Sequence, residues 1–393
     1  MKTGNTILSS FGTTIFETMS RLAAAAGAVN LGQGFPEGLE PPDLLARLGQ
    51  AALAGPHQYP SMMGTPDLRR AVAAHERRHW GLDLDSMAEV MVTSGATEAL
   101  AACFFGLIEP GDEVVLIEPL YDSYLPIVRR AGGIPKLVRI APPGWELPRA
   151  ELEAAFGPRT KLLVLNSPTN PAGKVYDADE LAFLAGLLER FDALAVCDEV
   201  YEHLVYDGRA HIPLATLPGM RGRCLKIGSA GKIFSLTGWK VGWVVAPPAL
   251  LAPVAKAHQF LTFTTPPELQ AAVAWGLDER QDYYTGLPAV LSGRRDRLAA
   301  GLARAGFEVL PAGGSYFLTA DFRPLGFDGG DAEFCRHITQ DAGVAAIPVS
   351  AFYQGDSPGH FARFCFAKTD AAIDEASARL ARHFGRPPPS RPR

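Results

Sequence analysis

Two lysines, Lys232 and Lys240, stand among small and apolar residues in the stretch IGSAGKIFSLTGWKVGW, residues 227–243. A lysine in such a setting can grip a phosphate as a point charge or, once desolvated, act as a nucleophilic amine. A nucleotide-binding Walker A loop needs Gly, four residues, then Gly-Lys-Ser/Thr. Here position 226 is Lys226 and position 233 is Ile233, so the pattern fails at both ends. A lone lysine in a Gly/Ser loop is most often simply solvated. Its role has to be read from the other polar residues that the fold brings to it.

Those residues depend on the elements that position them. Short runs rich in Val, Leu and Ile recur along the middle of the chain: EVMVTSG (89–95), DEVVLIEP (112–119), KLLVLNSP (161–168), LAVCDEV (194–200), CLKIGS (224–229) and VGWVVAP (241–247). Most lack polar alternation and are bounded by Gly or Pro, as expected of strands buried on both faces of a mostly parallel sheet. Between them, TEALAACFFGLIE and DELAFLAGLLERF carry apolar residues at helical spacing. The fold class is therefore α/β, with a large domain over residues 44–286. After about residue 290 a long charged helix, SGRRDRLAAGLARAG, leads to FEVLP, GSYFLTADF, AAIPV and FARFCFAK. That pattern predicts a smaller α+β domain over 287–393, joined by residues 1–43, in which no strand is expected.

In open α/β sheets, ligands sit beyond the carboxyl ends of the strands. The unusual polar residues fall there: Ser94, Gly95, Ala96 and Thr97 after the first run, Tyr121 after the second, Asn166 at the third, Asp198 and Tyr201 at the fourth, and Ser229 and Lys232 at the fifth. Singly, Asn166 could only shape the SPTNP turn and Asp198 could only cap a helix. Collected at one edge of one sheet, they describe a site. The Ser94–Thr97 turn opens a helix whose free N–H groups can hold an anion, with Ser229 and Lys240 adding a hydroxyl and a charge. A carboxylate at the end of a buried strand needs a cation or proton donor. Tyr201 offers a phenol, Tyr121 a stacking face and Lys232 an amine. Phosphate, protonated ring nitrogen, ring hydroxyl, stacking face and aldehyde-capturing amine together specify pyridoxal 5'-phosphate.

The motifs SAGKIFSLTGWKVGW, NSPTNPAGKVY, CDEVYEHLVYDG, LGQGFPEG and FARFCFAK resemble those of class I aminotransferases of fold type I, over about Phe11 to Lys368. The branch most similar holds kynurenine aminotransferase (glutamine transaminase K), methionine aminotransferase and N-succinyldiaminopimelate aminotransferase; GTTIFETMSRLA running into VNLGQGFP resembles the last two. The resemblance implies that Lys232 captures the cofactor aldehyde and then moves the substrate proton. It places Asp198 on the pyridine nitrogen, Tyr201 and Asn166 on the ring hydroxyl, and Tyr121 on the ring face. It places Gly95, Ala96, Thr97, Ser229 and Lys240 on the phosphate, where many relatives use arginine in place of Lys240. Tyr59, in HQYPSMMG, resembles a tyrosine that reaches the phosphate of the neighbouring subunit, which implies a homodimer with shared active sites. Gly34 and Asn166 resemble groups lining the substrate carboxylate, and Arg363 the residue that clamps it. An arginine fork suits a carboxylate bidentately, although an arginine inside FARFCFA could equally make an ordinary ion pair.

The implied activity is ping-pong transfer of an α-amino group to a 2-oxo acid through pyridoxamine phosphate. With no second arginine assignable to a side-chain carboxylate, and Phe16, Tyr59, Tyr121 and Phe260 expected nearby, neutral, sulfur-containing or aromatic L-amino acids are the expected substrates. The alternatives are the N-succinyldiaminopimelate reaction and cysteine-S-conjugate β-elimination. A non-catalytic, cofactor-binding member of the fold is the contrasting class, and the presence of Lys232 argues against it.

Other partners find little support. The 393 residues are 47% hydrophobic and 20% charged with net charge −5, enough for a large core and without the basic stripe that nucleic acid requires. No run is long enough to span a membrane. The five cysteines form no CxxC pair, which reads as reduced thiols of a cytoplasmic protein. The tail GRPPPSRPR is expected to fray. His75-Glu76-Arg77-Arg78-His79 matches the HExxH zinc pattern, but two arginines between the histidines are a poor neighbourhood for a dication, and no metal is expected. LGQGFPEG is not a GxGxxG loop, and no GxSxG is present.

Overall fold

The computed structural model describes residues 2–385; the GRPPPSRPR tail lies outside the described residues from Arg386 onward. Thirteen strands run along the described residues. β1 (Val29–Asn30) comes first. The central sheet follows, with β2 (Val90–Thr93), β3 (Glu113–Glu118), β4 (Ile134–Arg139), β5 (Thr160–Asn166), β6 (Leu194–Asp198), β7 (Cys224–Ser229) and β8 (Gly242–Val245). β9 (Glu308–Val309), β10 (Phe317–Asp321), β11 (Val344–Ala345), β12 (Ile347–Pro348) and β13 (Phe361–Cys365) complete the set.

The central sheet has the order β2-β8-β7-β6-β5-β3-β4. All neighbours are parallel except β8, which runs antiparallel to β2 and β7. Both faces are buried, and successive residues divide between two apolar clusters. Val90, Val92, Trp243 and Val245 pack into one, and Met91 and Val244 into the other. This is the period-2 alternation of a strand whose two sides are both core, which is why the sequence runs show no polar alternation. Each fully buried Val, Leu or Ile contributes about 1.5–3 kcal/mol.

β4 was not among the expected strands. Its IPKLVR sequence is interrupted by Pro135 and Lys136, and it forms the sheet edge with most side chains partly exposed. Edge strands tolerate such residues and so lose the apolar run that marks the others. The N-terminal segment likewise contains a strand against expectation. β1 is two residues long and pairs in parallel with β11, too short to show periodicity, and its partner lies far along the chain. A second sheet, β12-β13-β10-β9, is antiparallel throughout. The long helix Gln281–Arg304 runs through the expected boundary at 286/287 without a break.

Two glycines are imposed by the site end of the central sheet. Gly95 adopts φ +79°, open to glycine and strained for other residues. Gly242 pairs with both Thr93 and Ser229, and a Cβ there would lie 2.9 Å from the Gly95 carbonyl carbon and 3.0 Å from the Ala96 nitrogen. Gly242→Ala should therefore push the Gly95–Ala96 turn away from Ser229, at about 1–3 kcal/mol of overpacking. A lowered thermal midpoint together with weakened cofactor retention is the expected result.

Candidate active site

The carboxyl ends of β2, β5, β6 and β7 open into a cavity of about 220 Å³ lined by Gly95, Ala96, Thr97, Tyr121, Asn166, Asp198, Tyr201, Ser229, Lys232 and Lys240. Every large-domain residue singled out in the sequence as a cofactor group is on that wall except Tyr59. Its position follows from the sheet: parallel strands end together, and the helices that follow present their N-termini there. Gly95 is the N-cap of the helix Ala96–Leu107, so the first-turn N–H groups of Ala96 and Thr97 have no intrahelical acceptor and are free to hold an anion. Lys240 is held in the left-handed region at φ +55°, and a Cβ on Gly95 would lie 3.5 Å from its amine. These residues make a cradle with donors and a positive charge, suited to a phosphate.

Deeper in, Asp198 is 5% exposed. The Tyr124 hydroxyl donates to its Oδ2 at 2.5 Å and the Val200 N–H to its Oδ1 at 3.5 Å. Burial still pushes the Asp198 carboxyl above its ordinary range, against the opposing pull of these hydrogen bonds and of Lys232. Asn166 donates from Nδ2 to the Asp198 carbonyl at 3.0 Å and accepts from the Asn170 N–H at 2.8 Å, leaving one amide N–H free for a ligand.

Lys232 lies in the short helix Ala230–Ile233 after β7. Its amine donates to the Tyr316 hydroxyl at 2.7 Å, which in turn donates to the Gly34 carbonyl at 2.7 Å. The amine also sits 5.5 Å from the Tyr201 ring centroid and 5.3 Å from that of Tyr316. Burial lowers the Lys232 pKa to about 8; Arg363 and Lys240 add to the shift, and Cys365 and Asp198 oppose it. Far more of the amine is therefore neutral, and nucleophilic, near physiological pH than for an unshifted lysine.

Arg363, on β13, is 1% exposed. It donates from Nη1 to Asn170 Oδ1 at 2.9 Å and from Nη2 to the Gly32 carbonyl, while its buried Nε has no hydrogen-bond partner among the described residues. Its guanidinium is 4.0 Å from the Phe317 ring centroid, 5.2 Å from Phe16 and 5.3 Å from Phe352. Burial lowers its pKa to about 10, so it remains a cation at neutral pH.

Several sequence expectations need correction or completion. Asn170, the second asparagine of NSPTNP, holds Arg363 and was not singled out. Tyr124, which secures Asp198, and Tyr316, which secures Lys232, were not singled out. Tyr124 lies three residues after Tyr121 in YDSY, a visible signal once the helix start is known; nothing local marks Tyr316. Phe260 is not near the cavity: it is 82% exposed and lies beside Phe105, Pro253 and Leu261 on a separate surface. Its helix, Pro248–Leu261, packs along the outer side of the helix Ala96–Leu107. Tyr59 is 81% exposed and contacts Phe263 edge-on at 5.5 Å, outside the cavity of its own chain.

A phosphate cradle, a buried carboxylate and a depressed lysine amine in one cavity define a pyridoxal-phosphate enzyme. The family described as aminotransferase class I and II matches residues 26–380, and the chain belongs to it. It is similar to the probable N-succinyldiaminopimelate aminotransferase DapC of Mycobacterium tuberculosis, with 47% identity over 94% of this chain and 96% of that one. It is also similar to the methionine aminotransferase of Escherichia coli, at 38% identity over 95% and 96%. The solved structure of N-succinyldiaminopimelate aminotransferase from Mycobacterium tuberculosis superposes with a TM-score of 0.94, covering 96% of this chain and 99% of that chain. The protein is thus an aminotransferase of fold type I that uses pyridoxal phosphate.

The lowered Lys232 pKa has a measurable sign. Only the neutral amine attacks, so the rate at which the cofactor-free protein captures pyridoxal phosphate should climb about tenfold per pH unit below pH 8 and level off above it. A lysine with an unshifted amine would show the climb continuing toward pH 10; stopped-flow absorbance across this range separates the two.

Proposed function

We propose that this aminotransferase moves the α-amino group of neutral, sulfur-containing or aromatic L-amino acids to a 2-oxo acid. The observation that carries the substrate class is the distribution of charge. Among the described residues lining the cavity, Lys232 and Lys240 are the only cations, and both have roles with the cofactor. The guanidinium of Arg363 is flanked by Phe16, Phe317 and Phe352. A substrate whose carboxylate reaches Arg363 therefore meets aromatic walls with no second cation for a side-chain carboxylate. Such a pocket separates neutral side chains only weakly, so breadth is expected.

The geometry supports the following residue roles. Bound pyridoxal phosphate supplies the aldehyde that takes the amine and a ring that accepts the electron pair left on the substrate Cα. Asp198, steadied by Tyr124, keeps a proton on the ring nitrogen. Ala96, Thr97, Ser229 and Lys240 fix the phosphate, Tyr201 and the free amide N–H of Asn166 the ring hydroxyl, and Tyr121 one ring face. Arg363, held by Asn170, orients the substrate carboxylate beside Gly34. Lys232 would serve as general base for the Cα proton, and Tyr316 holds its Nζ in place. A second 2-oxo acid reverses the sequence, giving ping-pong kinetics.

Residues 44–286 act as the cofactor domain in this reading, and 1–43 with 287–393 as the smaller domain that carries Gly34 and Arg363. The working unit is a homodimer. Tyr59, exposed beside Phe263, and the exposed Phe260 and Leu261 form the kind of apolar surface that a partner covers, and Tyr59 then reaches the partner's phosphate. Five buried, unbridged cysteines support a reducing, cytoplasmic setting, and no helix among the described residues is long and apolar enough to cross a membrane.

A second reading, the N-succinyldiaminopimelate reaction, is favoured by the 47% identity to the mycobacterial protein. Recording the visible spectrum of the cofactor-loaded protein while adding single amino acids separates them. Methionine, glutamine or aromatic amino acids should bleach the cofactor band; a response to a succinylated diaminopimelate alone would replace the first reading with the second. Lys232→Ala should lose turnover by at least about 10⁴-fold, since nucleophile and base go together, and Asp198→Ala should bind cofactor weakly and react slowly. Normal turnover in Lys232→Ala would overturn the mechanism.

A further inference from the structure

The histidines of HERRH look unpromising in the sequence because two arginines separate them. In the folded chain both arginines are exposed; Arg77 faces Asp83 at 3.7 Å, and Arg78 reaches the Leu277 carbonyl at 3.4 Å and lies by the Tyr284 phenol at the rim of the cluster. His75 and His79, one helical turn apart on the helix Pro66–Trp80, instead meet a third histidine. His203 arrives from the turn after β6, and its Nε2 is 2.8 Å from that of His75. The three imidazole centroids are 4.9, 5.0 and 4.9 Å apart, and one nitrogen from each ring lies within 4.8 Å of the other two. The Tyr284 hydroxyl, on the helix Gln281–Arg304, is 3.2 Å from His79 Nε2.

The surroundings favour a cation. His75 is fully buried, and its Nδ1 faces Glu76 Oε1 at 3.8 Å. That Nδ1, Glu76 Oε2 and Glu202 Oε1 are all buried without hydrogen-bond partners among the described residues. Glu76, Glu202 and Glu199 lie 2.7, 2.5 and 3.9 Å from a single buried lysine, Lys226, and His211 closes on Glu199 at 2.8 Å. Three buried carboxylates around one lysine leave negative charge behind the imidazoles, and such charge is costly unless compensated. A metal-bound histidine typically turns its second ring nitrogen to a carboxylate; His75 Nδ1 has Glu76 nearby, at 3.8 Å, and a small ring rotation would bring the two into contact.

We propose that His75, His79 and His203 bind one divalent transition-metal ion of the zinc type, with water or the Tyr284 phenol in the fourth position. Imidazole donors without thiolates suit zinc, copper or nickel. At zinc–nitrogen distances of 2.0–2.1 Å, tetrahedral ligand atoms stand about 3.3 Å apart, so the close His75–His203 pair opens slightly and His79 moves inward. His79 and His203 are only partly buried, which leaves both a path for the ion and room for that adjustment. The site is structural. Glu76, the residue that serves as general base in zinc proteases with this spacing, is buried and bonded to Lys226. The ion would tie the helix Pro66–Trp80 to the 198–203 segment that carries Asp198 and Tyr201, and so stiffen the floor of the cofactor site.

The test uses the cofactor-loaded protein after chelator treatment and desalting, titrated with zinc and, as a visible probe, with cobalt(II). Wild type should take up one zinc per chain with a raised thermal midpoint, as expected of a ligand that binds only the folded state, and cobalt should give tetrahedral ligand-field bands. His79→Gln and His203→Gln should each bind at least tenfold more weakly while keeping the cofactor absorbance band, which shows that they have folded. Wild-type binding weaker than ~0.1 mM, too weak to stabilise at ordinary metal levels, or equal zinc uptake in wild type and both variants, would overturn the proposal.

Discussion

A carboxylate at the end of a buried parallel strand is the constraint on which the site depends. Asp198 terminates β6 inside the sheet, and an ion placed there is expensive to bury. The Tyr124 hydroxyl and the Val200 N–H offset part of that cost, but burial still prevails and raises the carboxyl's proton affinity. A carboxylate in this condition is a strong acceptor for a positively charged ring N–H. The neighbouring strand ends arrange the rest of the cavity around it: the open helix N-terminus after β2, Asn166 at β5 and Lys232 after β7.

Two lysines on or just after the same strand show how environment divides chemistry. Lys226, within β7, is fully buried among Glu76, Glu199 and Glu202, and their charges raise its pKa despite the cost of burial. It is locked as a cation. Lys232 has burial without such a cage: its contact is a neutral phenol, Tyr316, and the nearby cations Arg363 and Lys240 lower its pKa further. The same side chain becomes a fixed counter-ion in one place and a nucleophile in the other. Nothing in the local sequence around Lys226 foretells the three carboxylates, which come from the helix Pro66–Trp80 and from the turn after β6.

Much of the site was legible because it lies at strand ends, where a short apolar run followed by a polar residue marks position directly. Gly95, Asn166, Asp198, Ser229 and Lys232, singled out in this way, line one cavity. Residues whose role is to hold another side chain were not singled out. Tyr316 reaches Lys232 from the chain preceding β10, and Asn170 meets Arg363 across two sheets, so neither carries a signal in its own neighbourhood. Phe260, expected near the site, lies outside the cavity of its own chain because its side of the helix faces outward.

What the sequence determined by itself was the sheet and the chemistry at its edge. Buried strands and amphipathic helices are written in local periodicity, and the lysine, aspartate and glycine turns of the site sit where that periodicity stops. Only the tertiary structure decided which lysine has its pKa lowered, that Asn170 holds Arg363, and that His203 completes a cluster with His75 and His79. Those outcomes depend on burial and on distances between residues far apart in the chain, and burial and distance are properties of the packed fold.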